Sequence, residues 1–352
     1  MPSSHRIARE ALRQDCYDAG YSKQTRPLLP MNAMTAVTSD LPRLLVFGEA
    51  LTDFVRDSAA TDAADNAVGT PWRSVAGGAC WNVARVAATL GVPTGFGGSV
   101  SDDLFGQEIV ARSRTANLDM RFLQVVSRPP LIAMVHQAHP PQYFFLGEGT
   151  ADLAFDSAQL PSGWQSACEI AHFGCISLVR QPLGERLFAI AAQLKAQGTR
   201  ISYDPNYRNL MGPDYPRFFE KMMALTDIVK ISDEDLLQIY PNRSAAESLA
   251  FVRELSPGAL ILYTQGADGM TLYTAQESLT QASFKVAVAD TVGAGDSSIG
   301  GFIASLLAAP DAPLQTHLRF ASATAAVVCT RTGAHAPSHA EVEALLAQAA
   351  NR

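Results

Sequence analysis

Between residues 170 and 264 the chain repeats one pattern, a short mostly apolar run followed by a helical period. The apolar runs are 170–173, 200–203, 228–231 and 259–264, and helical periods fill 181–196, 215–224, 233–240 and 244–255 between them. Strands separated by helices cannot pair through tight hairpins. Each connection must cross one face of a sheet, so the strands run parallel and helices cover both faces. The run Leu44-Leu45-Val46-Phe47, ending at Gly48, is apolar throughout, as a strand buried on both faces must be.

Other segments depart from this alternation. Residues 51–56, 72–76 and a pair within 131–145 around His139-Pro140-Pro141 read as short strands without helices between them. They predict a small antiparallel β-sheet, inserted at about 50–60, 70–77 and 131–146, that acts as a lid. A helix is expected at 81–90, stopped by Gly91 and Pro93, then a strand at 96–100. The next helix, to about 116, starts from a cap at Ser101 or Asp102. Strands at 269–274 and 283–288 precede helices at 295–308, 313–330 and 338–350. Residues 1–42 read as a flexible leader, with Met31 and Met34 as alternative starts and the folded domain at 43–350.

Composition narrows the function classes. The 352 residues are 47% apolar and 17% charged, enough for a large core. A net charge of −7 repels phosphate backbones, so nucleic acid is not an expected partner. Cys16, Cys80, Cys168, Cys175 and Cys329 form no C-x-x-C pair and no zinc spacing, and read as free thiols. No apolar run reaches the ~18 residues of a membrane span, and the start has no apolar signal core. The expectation is a cytoplasmic protein with no membrane partner.

The residues that carry chemistry centre on Asp290-Thr291-Val292-Gly293-Ala294-Gly295-Asp296, between a strand and an apolar helix. Small residues let backbone approach a ligand, and amides at a helix start bind anions. Asp296 in the first turn is placed to take a proton from a hydroxyl. The alternative is a Gly-rich turn with Asp296 as a helix-start residue; an acid at each end of the run favours chemistry. Asp53 follows the first strand, and Asn82 follows Gly77-Gly78, a carboxylate and an amide suited to sugar hydroxyls. Either residue alone also reads as a turn or cap. Asp204-Pro205-Asn206-Tyr207-Arg208 offers a planar cation. The cluster Ser232-Asp233-Glu234-Asp235 reads either as a Mg²⁺-water site or as a dipole-favoured helix start. Thr264-Gln265-Gly266-Ala267-Asp268-Gly269 is a turn between strands. No P-loop motif occurs, and Gly95-Phe96-Gly97-Gly98 does not open a helix as a dinucleotide fingerprint does.

Residues 290–302 resemble the C-terminal signature of the ribokinase-like (PfkB) carbohydrate kinases, and the likeness extends over about 43–340. The resemblance implies an α/β fold with a mainly parallel central sheet, helices on both faces and a small β-sheet lid. It implies Asp296 as the base, with the amides of Gly293, Ala294 and Gly295 on the transferring phosphoryl group. Asp53, Gly77, Gly78, Asn82 and Arg208 would bind the sugar. Ser232, Thr264, Gly266 and Gly269 would meet the nucleotide, opposite an adenine wall within 320–336. Asp235 would reach Mg²⁺ through water, and Asp290 would neighbour a monovalent cation. ATP, Mg²⁺ and K⁺ are the implied cofactors, and a homodimer through the lid sheet is the implied assembly. Gly48-Glu49-Ala50, the Asp204 run and Ala151-Asp152-Leu153 are similar to fructokinases; the Asp204 run also resembles 2-keto-3-deoxygluconate kinases. The chain departs from the pattern at Cys80 and Trp81, at Ser232 and Asp235 in the N-x-x-E position, and at Phe145-Leu146-Gly147, where fructokinases often read F-Y-R. The indole of Trp81 either packs in the core or reshapes the sugar pocket.

Overall fold

The computed structural model describes residues 40–56, 71–138 and 141–350. The expected leader therefore lies outside the described residues up to 39, as do lid positions 57–70 and the turn at His139 and Pro140.

Nine strands form the main sheet in the order β13-β12-β11-β10-β9-β8-β1-β4-β5. Their ranges are β1 Leu44–Phe47, β4 Thr94–Ser101, β5 Leu123–Val126, β8 Ile170–Gly174, β9 Arg200–Asp204, β10 Ile228–Ser232, β11 Leu260–Thr264, β12 Met270–Tyr273 and β13 Ser278–Gln281. From β5 to β11 every pairing is parallel; β12 and β13 add an antiparallel edge. A second sheet has the order β3-β2-β6-β7, from β2 Leu51–Arg56, β3 Trp72–Gly77, β6 Ile132–Ala138 and β7 Pro141–Leu146. Its β2–β3 and β6–β7 pairs are antiparallel, whereas β2 and β6 run parallel.

The ten described α-helices are α1 Ala79–Thr89, α2 Leu104–Thr115, α3 Trp164–Ala167, α4 Leu183–Ala196, α5 Tyr215–Met223, α6 Asp233–Ile239, α7 Ala245–Leu255, α8 Ala294–Ala308, α9 Leu314–Cys329 and α10 His339–Ala350. Strand parity sorts the apolar side chains into two cores. Leu45, Phe47, Phe173, Val229 and Ile261 join α4, α5, α6 and α7 on one face. Leu44, Val46, Ile170, Ile228 and Leu262 join α1, α8 and α9 on the other. Each fully buried Leu, Phe or Ile contributes about 1.5–3 kcal/mol.

Two expected boundaries are corrected. The cap of α2 is Asp103, whose Oδ1 accepts from the amides of Phe105 and Gly106 at 3.0 and 3.1 Å; Ser101 instead donates to Asp103. The strand after β12 is 278–281, not 283–288. A tight turn, in which Thr274 N donates to Glu277 O, returns the chain at once, so the pairing partner is the nearer segment. Strand β5, at the sheet edge, was not anticipated.

Candidate active site

Parallel strands point their C-terminal ends to one edge of the sheet, where an open α/β sheet binds ligands. Gly174 pairs with Asp204, and Ser232 with Thr264, at that edge. The loops that follow carry almost every candidate residue.

Asp296 sits in the first turn of α8 and is 8% exposed. Its Oδ2 accepts from Asn82 Nδ2 at 2.9 Å and its Oδ1 from Asn206 Nδ2 at 3.3 Å. A carboxylate offers about four lone-pair sites, so two amides leave room for a substrate hydroxyl. Burial raises the pKa of Asp296, against the Asn82 hydrogen bond and the charges of Lys230 and Arg208.

The turn before it has the geometry of an anion cradle. Gly293 is left-handed at φ 81°, and its carbonyl accepts from Ser297 N at 2.8 Å. The Ala294 amide donates to Thr291 O at 3.2 Å, so this member of the expected trio is engaged within the turn. No backbone acceptor among the described residues takes the amides of Gly295 and Asp296. Those two N–H groups, at the positive end of α8, are free for an anion. Lys230 lies alongside, its Nζ 3.2 Å from where a side chain on Gly295 would begin.

Asp53, on β2, is brought to the same place. Its carboxylate occupies the position a side chain on Gly77 would take. Burial lifts its pKa to about 7, against the pull of Arg208 and with the push of Asp296 and Glu49. Gly78 holds φ 114°, and a β-carbon there would lie 2.6 Å from Glu49 O, so only glycine makes this entry to α1. Arg208 donates from Nη1 to the carbonyls of Asn206 and Tyr207 at 3.1 and 2.7 Å and lies over the ring of Tyr143, on β7.

Sequence reasoning missed a set of buried supports. Glu49 is 1% exposed and accepts from Ala79 N at 3.1 Å and Ser177 N at 3.3 Å, tying the start of α1 to the loop after β8. Asp204 binds the amide of Asn206 at 3.0 Å and Lys230 Nζ at 3.3 Å. Burial lifts Asp204 to about 7, against Lys230. Burial pulls Lys230 down, but Asp204, Asp235 and Asp296 outweigh it and keep the ammonium charged. Each of these residues lies inside or beside a motif already singled out, and a charged residue at a strand end was the available signal.

Asp235 does not fit the Mg²⁺ role expected of it. Its Oδ2 accepts from Ser232 N and Oγ in a capping box, and its Oδ1 accepts from Tyr207 N at 2.7 Å. With Lys230 3.7 Å away, these donors take most of the acceptor sites of the buried carboxylate. Ser232 is likewise the cap of α6. Asp290 accepts from Val292 N at 3.1 Å and Gly333 N at 2.8 Å, joining two loops behind the cradle. The turn bearing Gly266 and Gly269 projects beyond Thr264, at the edge of the same rim. Phe320, on α9 and expected in the adenine wall, is 9% exposed, and its ring lies 5.6 Å from that of His339 at the start of α10. Trp81 is fully buried in the core.

A family model described as the pfkB family carbohydrate kinase matches residues 41–341, which include every residue placed above. The chain belongs to the pfkB family of carbohydrate kinases. Among pfkB relatives, a fructokinase of Rhizobium leguminosarum bv. trifolii is 38% identical over 236 residues, covering 66% of this chain and 71% of that protein. A Xylella fastidiosa fructokinase solved with bound ATP superposes with a TM-score of 0.76 at 26% identity, covering 88% of this chain and 100% of the other. A Vibrio cholerae fructokinase with fructose, ADP and calcium gives 0.74 at 25% identity, covering 87% and 99%. The central parallel sheet with its small second sheet is therefore the ribokinase-like fold of pfkB kinases. Among the described residues no helix is long and apolar enough to cross a membrane.

Proposed function

We propose that this sugar kinase transfers the γ-phosphate of ATP to a hydroxyl of a ketose, with fructose as the favoured substrate. One observation carries the mechanism: Asp296, cradled by Asn82 and Asn206, shares a helix turn with the free amides of Gly295 and its own N–H. Asp53, Asn82 and the backbone at Gly77 and Gly78 hold sugar hydroxyls. The attacking hydroxyl sits on Asp296, which takes its proton as the oxygen bonds the γ-phosphorus and the bond to the β-phosphate oxygen breaks, releasing ADP. Charge developing on the phosphoryl oxygens falls against the α8 amides and Lys230, where fixed dipoles need no reorganisation. Thr264 and the Gly266–Gly269 turn flank the nucleotide. The β3-β2-β6-β7 sheet closes over the sugar through Asp53 and Tyr143 and keeps water, a competing acceptor, out.

Asp235, a buried capping group, does not fit a directly held Mg²⁺; the ion would arrive on the ATP phosphates with its waters and supply neutralising charge there. A K⁺ beside Asp290 would brace the Gly333 loop. The outer face of the lid supports a homodimer: Phe144 and Leu146 are 63% and 49% exposed, while Tyr143 and Phe145 turn inward. Cytoplasmic location follows the expectation from the free thiols.

Fructose is favoured by the named relatives and by Gly48-Glu49-Ala50 and Ala151-Asp152-Leu153. A second reading, 2-keto-3-deoxygluconate, rests on Arg208, a half-buried cation with no ion pair among the described residues. A nucleoside substrate is supported by a Salmonella enterica aminoimidazole riboside kinase of similar fold, with a TM-score of 0.72 at 25% identity; a non-catalytic sugar sensor has no comparable support. ADP release across a sugar panel decides between them: kcat/KM highest for fructose is expected, and faster turnover of the keto-acid would assign Arg208 to its carboxylate.

A further inference from the structure

Trp81 and Arg85 stand one turn apart on α1 and have no part in the mechanism above. Trp81 Nε1 donates to Ser113 Oγ at 2.9 Å, which fixes the plane of the buried indole. The guanidinium of Arg85 lies over that ring, 4.3 Å from its centroid. From there Nη1 donates to Asn82 Oδ1 at 3.4 Å and to Ala334 O at 3.3 Å.

An arginine only donates, and an ionised carboxylate only accepts. The Asn82 amide stands between one of each, with Oδ1 toward Arg85 and Nδ2 toward Asp296 at 2.9 Å. These neighbours leave the amide a single orientation. Ala334, the other acceptor, packs behind the cradle, its Cα 3.1 Å from where a side chain on Gly293 would begin.

We infer that Arg85, held flat on Trp81, is a positioning residue that turns the Asn82 amide donor-first toward Asp296 and braces the loop at Ala334 behind the phosphate cradle. Without the guanidinium only Asp296 would hold the amide, and a flip that presents its oxygen to the carboxylate would be opposed from one side instead of two. The departure from the family pattern at Trp81 thereby acquires a role: it is the platform on which the cation rests. The inference rests on Asp296 being the base.

The test is a double-mutant comparison of sugar phosphorylation. Arg85→Met keeps the stem on the indole and removes the donors; it is expected to lower kcat about tenfold. Arg85→Lys keeps a cation and donors over the ring but lacks the planar fork, and is expected to retain more activity than the methionine variant. In an Asn82→Ala background Arg85→Met is expected to change kcat less than about twofold, because no amide is left to orient. Should Arg85→Met fail to fold, Trp81→Phe, which frees the platform from Ser113, takes its place with a loss of about threefold that again vanishes with Asn82→Ala. Equal losses in both backgrounds, or a lysine variant no better than methionine, overturn the inference while leaving the kinase reading intact. A wild-type protein with no sugar-dependent ADP release overturns the reading and the inference together.

Discussion

At the scale of single residues, the site is a set of acids kept at high energy by burial. Asp53 and Asp204 are lifted to about 7, and Asp296 is raised above its ordinary range, each mainly by desolvation. A base must be unprotonated to work, so kcat should fall on acidification at a higher pH than an ordinary carboxylate would give; a pH–rate profile checks this. The stability consequence has the opposite sense. Between the unfolded value near 4 and the folded value near 7, the native state holds protons that the unfolded chain has lost. Stability therefore falls as pH rises through that window. Asp53→Asn removes one such buried charge; it should impair sugar phosphorylation yet raise stability at pH 8 by about 1–2 kcal/mol, read as a higher midpoint in thermal unfolding. These residues were legible unequally. Asp296 and Asn82 stood out because each combined a polar side chain with glycines just before it, and Asp53 because it follows the first strand. Glu49 and Lys230 did not, because nothing in the spacing of Glu49 points to Ser177 or in that of Lys230 to Gly295.

At the scale of elements, the site is assembled by loops that hold one another. Glu49 ties α1 to the loop after β8, using a separate oxygen for each amide. Glutamine has one acceptor oxygen and would turn its amide toward the other N–H. Glu49→Gln should therefore destabilise the protein by about 1–3 kcal/mol and lower kcat, measured by denaturant unfolding beside turnover. Gly293→Ala should hurt differently. A β-carbon there meets Ala334 Cβ at 2.9 Å in a left-handed conformation, at a cost of about 1–3 kcal/mol, and phosphoryl transfer should suffer more than sugar binding. The regular elements were readable because continuous apolar runs and helical periods are local signals. Asp103 was mistaken for its neighbours because Ser101, Asp102 and Asp103 are all competent caps, and only the backbone selects one. The strand at 278–281 was displaced to 283–288 because alternation continues past the point where pairing stops.

For the molecule as a whole, the parallel sheet brings the candidate site residues to one edge, and the small sheet adds Asp53 and Tyr143 beside them. Strand parity in β7 turns Tyr143 toward Arg208 and Phe144 outward, so in the proposed kinase one strand would serve substrate and assembly at once. Phe144→Asp should shift a dimer toward monomer in analytical ultracentrifugation; an unchanged sedimentation profile that is already monomeric would remove the lid from assembly. The alternation of strands and helices sufficed to anticipate the main sheet. That β2 and β6 pair in parallel, with β3 and β7 at the edges, was not readable, because pairing between distant short strands leaves no local trace. The central claim is that Asp296 deprotonates the sugar, and sugar-dependent ADP release by wild type and Asp296→Asn, side by side, tests it most directly. A folded variant slower by about 10³-fold, with sugar affinity little changed, is the predicted result. A variant that turns over within tenfold of wild type would contradict it.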